Sequence, residues 1–310
     1  LSWETVNQTW WITKVWAEKY QYALSQKAKI KVWVIDTGID YTHSELVSNL
    51  DTSLSKNFVN TTLTANDDHG YGTHVAWILW AWVNGKWIFW VDSNVSLVAL
   101  KVLSRDWYGS SYGIVDAINY AANNWIKVVN LSLWWNWTPA NDIICNAITN
   151  AKAKWTISIV AAWNENSDVS TKVPAGCSNA ITVWAVDSTL TKASFSNYWT
   201  EVDVSAPGVN IYSTYKGNTY ATMAWTSMAT PFVAWMVWAI LSSTWGTYDS
   251  VKSALISNWV AVNSSVNIGK FISMPNTMKS LWVADDLSYI NTWTTNTGST
   301  NTWTTNPPST

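Results

Sequence analysis

The chain has 310 residues, 48% of them hydrophobic, enough to bury one large core or a core with a short appendage. Its net charge of -2 and pI of about 5.9 remove the electrostatic basis for binding nucleic acid or an anionic membrane surface. No apolar run approaches the roughly 20 residues of a membrane span, and the 12% of charged residues suits a secreted surface.

Taken in order, residues 1–28 are expected to form a short helical lead-in with Lys14, Glu18 and Lys19. The start at Leu1, with no signal peptide, is expected of a mature or trimmed chain. KIKVWVID, 29–36, predicts a buried strand that ends on Asp36. An apolar helix is expected over 72–83, after HGYGTH, and a strand over 95–103. An amphipathic helix over 110–124 precedes the strand KVVNLSL, 127–133. A helix over 140–153 leads to strands at 157–162 and 180–186. A long helical run follows over 227–241, with another helix over 249–257.

Strands alternating with helices of this length predict an α/β fold with a mainly parallel sheet. Functional groups of such sheets gather at the carboxyl ends of the strands, where Asp36, Ser132, Leu133 and Asn164 fall. We expect one domain over 1–286. Residues 287–310, rich in Thr and Asn, lack the apolar surface to fold and are expected to be a flexible tail.

The sequence holds 27 Trp and only 12 Gly, although glycine normally makes up about 7% of a protein. In the tail, NTWTT NTGST NTWTT puts Trp293 and Trp303 in the slot that Gly298 fills. Trp107 precedes Tyr108-Gly109 in a turn, and Trp125 stands where a helix should end in a C-cap glycine. We read most of these tryptophans as glycines in the natural protein, from a gene that uses UGA for glycine but is translated with UGA as Trp. The alternative is a truly Trp-rich chain, such as a carbohydrate-binding module with aromatic platforms.

Three segments carry chemistry. An Asp at a strand end before Thr-Gly, in VIDTGID at 34–40, also occurs in phosphate sites. DDHGYGTHVAW, 67–77, sets His69 and His74 beside Asp67 and Asp68, a weak metal pattern because the histidines are five apart rather than four. AWTSMATP, 224–231, opens a helix with Ser227 at its positive end, where a lone Ser is otherwise an N-cap. Cys145 and Cys177 are either two buried thiols or one disulfide.

In this order the three segments resemble the Asp, His and Ser motifs of the subtilisin-like serine proteases, with NLSLWW at 130–135 and AAWNEN at 161–166 between them. The likeness runs from about residue 11 to 260. Trp77, Trp134, Trp135, Trp163 and Trp225 fall on family glycines. The resemblance implies a three-layer α/β/α fold, a polypeptide substrate and an acyl-enzyme mechanism. It makes Asp36 the triad aspartate and Ser227 the nucleophile. It puts Asn164 in the oxyanion hole, a donor whose loss in subtilisin itself costs about 10²–10³ in kcat. It also makes Ser132, Leu133 and Trp134 the strand that pairs with substrate.

The family's catalytic histidine position is Tyr71, a poor general base near neutrality. His74 matches the second, non-catalytic histidine, and His69 lies two residues before the slot. In subtilisin, loss of the histidine alone costs roughly 10⁶ in kcat. The alternative reading is therefore an inactive subtilase that binds peptides or acts as a scaffold. The resemblance further implies a structural Ca²⁺ held by Glu45, the Asn84 amide and the carbonyls of Trp82, Lys86 and Ile88. It favours a Cys145–Cys177 bridge, secretion, a monomer, and a propeptide already absent from this chain.

Overall fold

The computed structural model describes residues 31–80, 96–133, 142–198, 203–244, 246–266, 269–273 and 276–277. The expected lead-in and tail lie outside them. The strands are β1 (Lys31–Asp36), β2 (Lys56–Asn57), β3 (Ser96–Lys101), β4 (Val128–Leu131), β5 (Ile157–Ala161), β6 (Ile181–Val186), β7 (Val204–Pro207), β8 (Ile211–Tyr215), β9 (Thr219–Met223), β10 (Trp259–Val260) and β11 (Lys270–Ile272). The helices are α1 (Tyr71–Trp80), α2 (Ser111–Asn123), α3 (Ile143–Ala153), α4 (Thr226–Ser243) and α5 (Tyr248–Ser257).

Nine strands form one sheet in the order β10-β11-β7-β6-β5-β4-β1-β3-β2. Every pairing in it is parallel except β10 with β11. β8 and β9 make a separate antiparallel hairpin that the sequence reading passed over. Alternation along the central strands builds two cores. Val32 and Val34 of β1, with Leu97 and Ala99 of β3, pack with α1 and α4. Trp33, Ile35, Val98 and Leu100 face α2 and α3. Helices on both faces of a mostly parallel sheet give the three-layer α/β fold.

α4 is apolar around its circumference because it lies inside one of these layers, buried from Thr226 to Ala234. Pro231 has no N–H, so the Ser227 carbonyl loses its donor one turn on. The Ser132 hydroxyl supplies one at 3.0 Å. The helix that carries Ser227 is thereby tied to the end of β4.

Among the described residues, four tryptophans have left-handed backbone: Trp107 (φ 64), Trp125 (φ 59), Trp155 (φ 68) and Trp163 (φ 76). Trp125 and Trp155 close α2 and α3 in the same way. The amides of Trp125 and Ile126 donate to the carbonyls of Ala122 and Ala121. Those of Trp155 and Thr156 donate to Lys152 and Ala151. This is the two-bond helix ending in which glycine is favoured. Trp77 and Trp225 have ordinary backbone, so their backbone angles make no demand for glycine at those two positions. Trp33, Trp184 and Trp238 are buried with indole N–H groups that find no acceptor, each costing about 1–3 kcal/mol. Indoles turned into the core are not stacking platforms for sugars.

Trp125 and Trp155 are 73% and 56% exposed, so replacing them removes little packing. We predict that Trp125→Gly and Trp155→Gly each stabilise the protein by about 1 kcal/mol, seen as a rise of about 2–4 °C in melting temperature. Mass spectrometry of the naturally produced protein should read glycine at both positions. A drop in melting temperature, or tryptophan in the natural peptides, would count against the glycine reading.

Candidate active site

Asp36 ends β1 and is fully buried. Its Oδ1 accepts the Thr37 amide at 2.7 Å, while Oδ2 has no hydrogen-bond partner. Burial pushes its carboxyl well above the usual carboxylate range, against the pull of the Thr37 amide; the neighbouring Asp67 pushes the same way. Lys101 also favours the charged form. Its ammonium, however, is spent on the carbonyls of Thr37 and Leu103 and on Asp68.

Tyr71 opens α1 and is 6% exposed. Burial raises its phenol above the ordinary tyrosine value; a hydrogen bond with the Ser227 hydroxyl opposes this and the charge of Asp36 reinforces it. Trp107 lies across it with ring centroids 4.5 Å apart. Gly72 follows because a Cβ there would run into the Gly38 carbonyl and the Asp36 side chain. Only glycine lets the first turn of α1 approach the Asp36 loop this closely.

Ser227 is the second residue of α4, fully buried, and its hydroxyl donates to the Ser132 carbonyl at 3.3 Å. Asn164 stands in the loop after β5. Its Oδ1 accepts the Thr226 amide at 2.8 Å, which leaves Nδ2 as its donor end. The Trp163 amide donates to Thr226 Oγ1 in the same clasp. Asn130 Nδ2 donates to Ser132 Oγ, so β4 and β5 both hold the start of α4. Leu133 is buried beside Ser132, and Trp134 lies outside the described residues.

Asp36, Tyr71 and Ser227 are thus brought together from the ends of β1, α1 and α4. His69 is not in the slot. Its Nε2 accepts the Trp107 indole N–H at 2.6 Å, and its ring stands 6.3 Å from that of Tyr71. His74 is turned toward the hairpin, where its Nε2–H donates to the Ala221 carbonyl at 3.1 Å. The two histidines thus face different partners, and among the described residues no cluster of three metal-ligating side chains occurs. Glu45 Oε1 accepts the Tyr220 hydroxyl. Trp82, Asn84, Lys86 and Ile88 lie outside the described residues. Cys145 of α3 and Cys177 are joined in a disulfide.

An Asp thus ends a central parallel strand, a Ser starts a buried helix, and an Asn is bonded to that helix start. Residues 27–281 match the model of the Subtilase family, Peptidase S8. The chain belongs to the subtilase family. It is 35% identical over 256 residues to Subtilisin DY of Bacillus licheniformis, spanning 82% of this chain and 89% of that protein. It is 37% identical over 225 residues to Subtilisin Savinase of Lederbergia lenta, 73% of this chain and 81% of that protein. The crystal structure of a cold adapted subtilisin-like serine proteinase superposes with a TM-score of 0.71 at 28% identity, covering 80% of this chain and 89% of that one. This chain is a subtilase with a phenol between its aspartate and its serine. Among its described residues no helix is long and apolar enough to cross a membrane.

Sequence reasoning missed two supports of this subtilase site. The hairpin β8–β9 is bonded across the site's flank: Ser213 and Thr214 donate to the carbonyls of His74 and Thr73. The other is Asp67, which the sequence offers only as a metal candidate and which accepts from neighbouring amides and from the hydroxyls of Thr37 and Thr73.

His74 gives a pH signature. Burial lowers its imidazole from 6.5 to about 4. Above pH 6.5 the ring is neutral in both folded and unfolded chains. As pH falls from 6.5 toward 4, the unfolded chain takes up a proton that the folded one resists, so stability is lost across that window. We predict a loss of about 3 kcal/mol from this group between pH 7 and pH 4. Urea unfolding at a series of pH values should show it, and His74→Gln should lack that component. Identical pH dependence in the two proteins would contradict it.

Proposed function

We propose that the chain carries a subtilisin-like endopeptidase site that is silenced at its general base. Extended polypeptide adds as a strand along Ser132, Leu133 and Trp134, main chain to main chain. Ser227 is the nucleophile that forms the acyl-enzyme, and its own amide with Asn164 Nδ2 receives the oxyanion. Asp36 is placed to hold and stabilise an imidazole at position 71. Tyr71 supplies neither half of that function. A phenol whose proton is held more tightly than usual does not accept the serine proton near neutrality. It also gives Asp36 no N–H.

The observation that carries this reading is the unpartnered Oδ2 of a fully buried Asp36. In this reading peptide binding persists while turnover is lost. Tyr71→His should raise hydrolysis of an extended chromogenic peptide, and fluorophosphonate labelling of Ser227, on the order of 10³-fold or more. Equal turnover and labelling with Tyr71 in place would overturn the silencing.

The same reading takes the protein to be a secreted monomer made with a propeptide; the disulfide and the low charge content support an oxidising, extracellular setting. It also takes a structural Ca²⁺ to lie against Glu45, Asn84 and the carbonyls of Trp82, Lys86 and Ile88, an all-oxygen set of the kind calcium prefers. A chelator should lower the melting temperature and added Ca²⁺ should restore it. A melting temperature indifferent to both would remove the ion from the account.

A further inference from the structure

Asp67 is 4% exposed and accepts five hydrogen bonds. Its Oδ1 takes the Thr37 hydroxyl at 2.9 Å and the amides of His69 and Gly70 at 3.0 and 2.8 Å. Its Oδ2 takes the amide and hydroxyl of Thr73 at 2.9 and 2.6 Å. Five donors on two oxygens leave little for a metal. The donors come from two places. Thr37 follows Asp36, while His69, Gly70 and Thr73 flank Tyr71 on both sides.

Two further bonds close the lattice. Gly72 donates its amide to Thr37 Oγ1 at 2.9 Å, and Asp40 donates its amide to Thr73 Oγ1 at 2.9 Å. The main chain repeats the link, since the Asp67 amide donates to the Ile39 carbonyl. The loop after β1 and the first turn of α1 are therefore bonded through one carboxylate. Position 71 is bracketed by residues that Asp67 holds, and Asp36 precedes another.

We propose that Asp67 is a positioning residue, which sets the side chain at position 71 in register with Asp36. This rests on the reading of position 71 as the general-base position. Asp67 touches neither substrate nor the reacting serine. Its effect is on geometry, where a displacement of about 1 Å costs on the order of 100-fold in rate.

The test uses the full chain carrying Tyr71→His, with and without Asp67→Asn. An amide keeps the size of the carboxyl but turns a donor toward amides and hydroxyls that themselves donate. Proton NMR follows the downfield resonance of the imidazole Nδ1–H bonded to Asp36, beside kcat and KM for an extended peptide. With Asp67→Asn the resonance should be lost and kcat should fall about 100-fold, with KM within about threefold and a cooperative melt retained. A purely structural role moves the melting temperature and leaves the resonance and kcat in place, which overturns the proposal while the endopeptidase reading stands. If Tyr71→His alone yields no hydrolysis and no such resonance, both fall together. Should Asp67→Asn not fold, Thr37→Val decides, since it removes the hydroxyl that touches both Asp67 and the Gly72 amide. It should lower kcat about 10-fold, and an unchanged kcat and resonance overturn the role.

Discussion

The site depends on the burial of one carboxyl group. Asp36 is sealed at the end of a central strand, and the fold provides one donor to its Oδ1 and none to its Oδ2. A buried charge without a partner is disfavoured, so burial pushes the carboxyl well above the usual carboxylate range. The rest of the frame is arranged around this cost. Lys101 is close enough to favour ionisation but has its ammonium bonded elsewhere. Asp67 works in the opposite direction. On the proposed reading, an imidazole N–H at position 71 would be the donor that makes the carboxylate worth its desolvation, where this chain has the phenol of Tyr71.

The parallel sheet explains why these groups meet. β1, β4 and β5 are neighbours in the sheet, so their carboxyl ends deliver Asp36, Ser132 and Asn164 to one edge. α4 arrives there as a buried helix whose start is gripped from both sides. Asn164 accepts from Thr226, and Ser132 fills the carbonyl that Pro231 leaves unpaired. Each clasp fixes Ser227 without using its hydroxyl as a structural link to Asp36. On the proposed reading, Ser227 and Asn164 are held independently of position 71, so a change there would silence the site without dismantling it.

Much of this was legible in the chain. β1 was readable because the apolar run Val32, Trp33, Val34 and Ile35 leads up to Asp36, and α4 because SMATP opens a long apolar run. Trp125 could be placed at a helix end from its position between an amphipathic run and a strand. Trp155 closes α3 by the same two bonds and passed unnoticed, although KAKWTIS offers the same helix-to-strand change. The hairpin was missed although IYSTY and TYATM flank Lys216-Gly217-Asn218, a turn signal between two alternating runs. β10 and β11, two and three residues long, are too short to carry a period. Asp67 was visible only as an acid near histidines. Three of its five donors are backbone amides, which have no residue signature, so its role appears only in three dimensions.

The central claim concerns the protonation of Asp36, and infrared difference spectroscopy against Asp36→Asn tests it most directly. The account predicts a carboxylic-acid carbonyl band at pH 7 that disappears in Asp36→Asn and gives way to carboxylate when Tyr71→His supplies the missing N–H. A carboxylate signal from Asp36 at pH 7 with Tyr71 in place would contradict it, because the buried oxygen would then have found a partner other than the one the fold reserves for position 71.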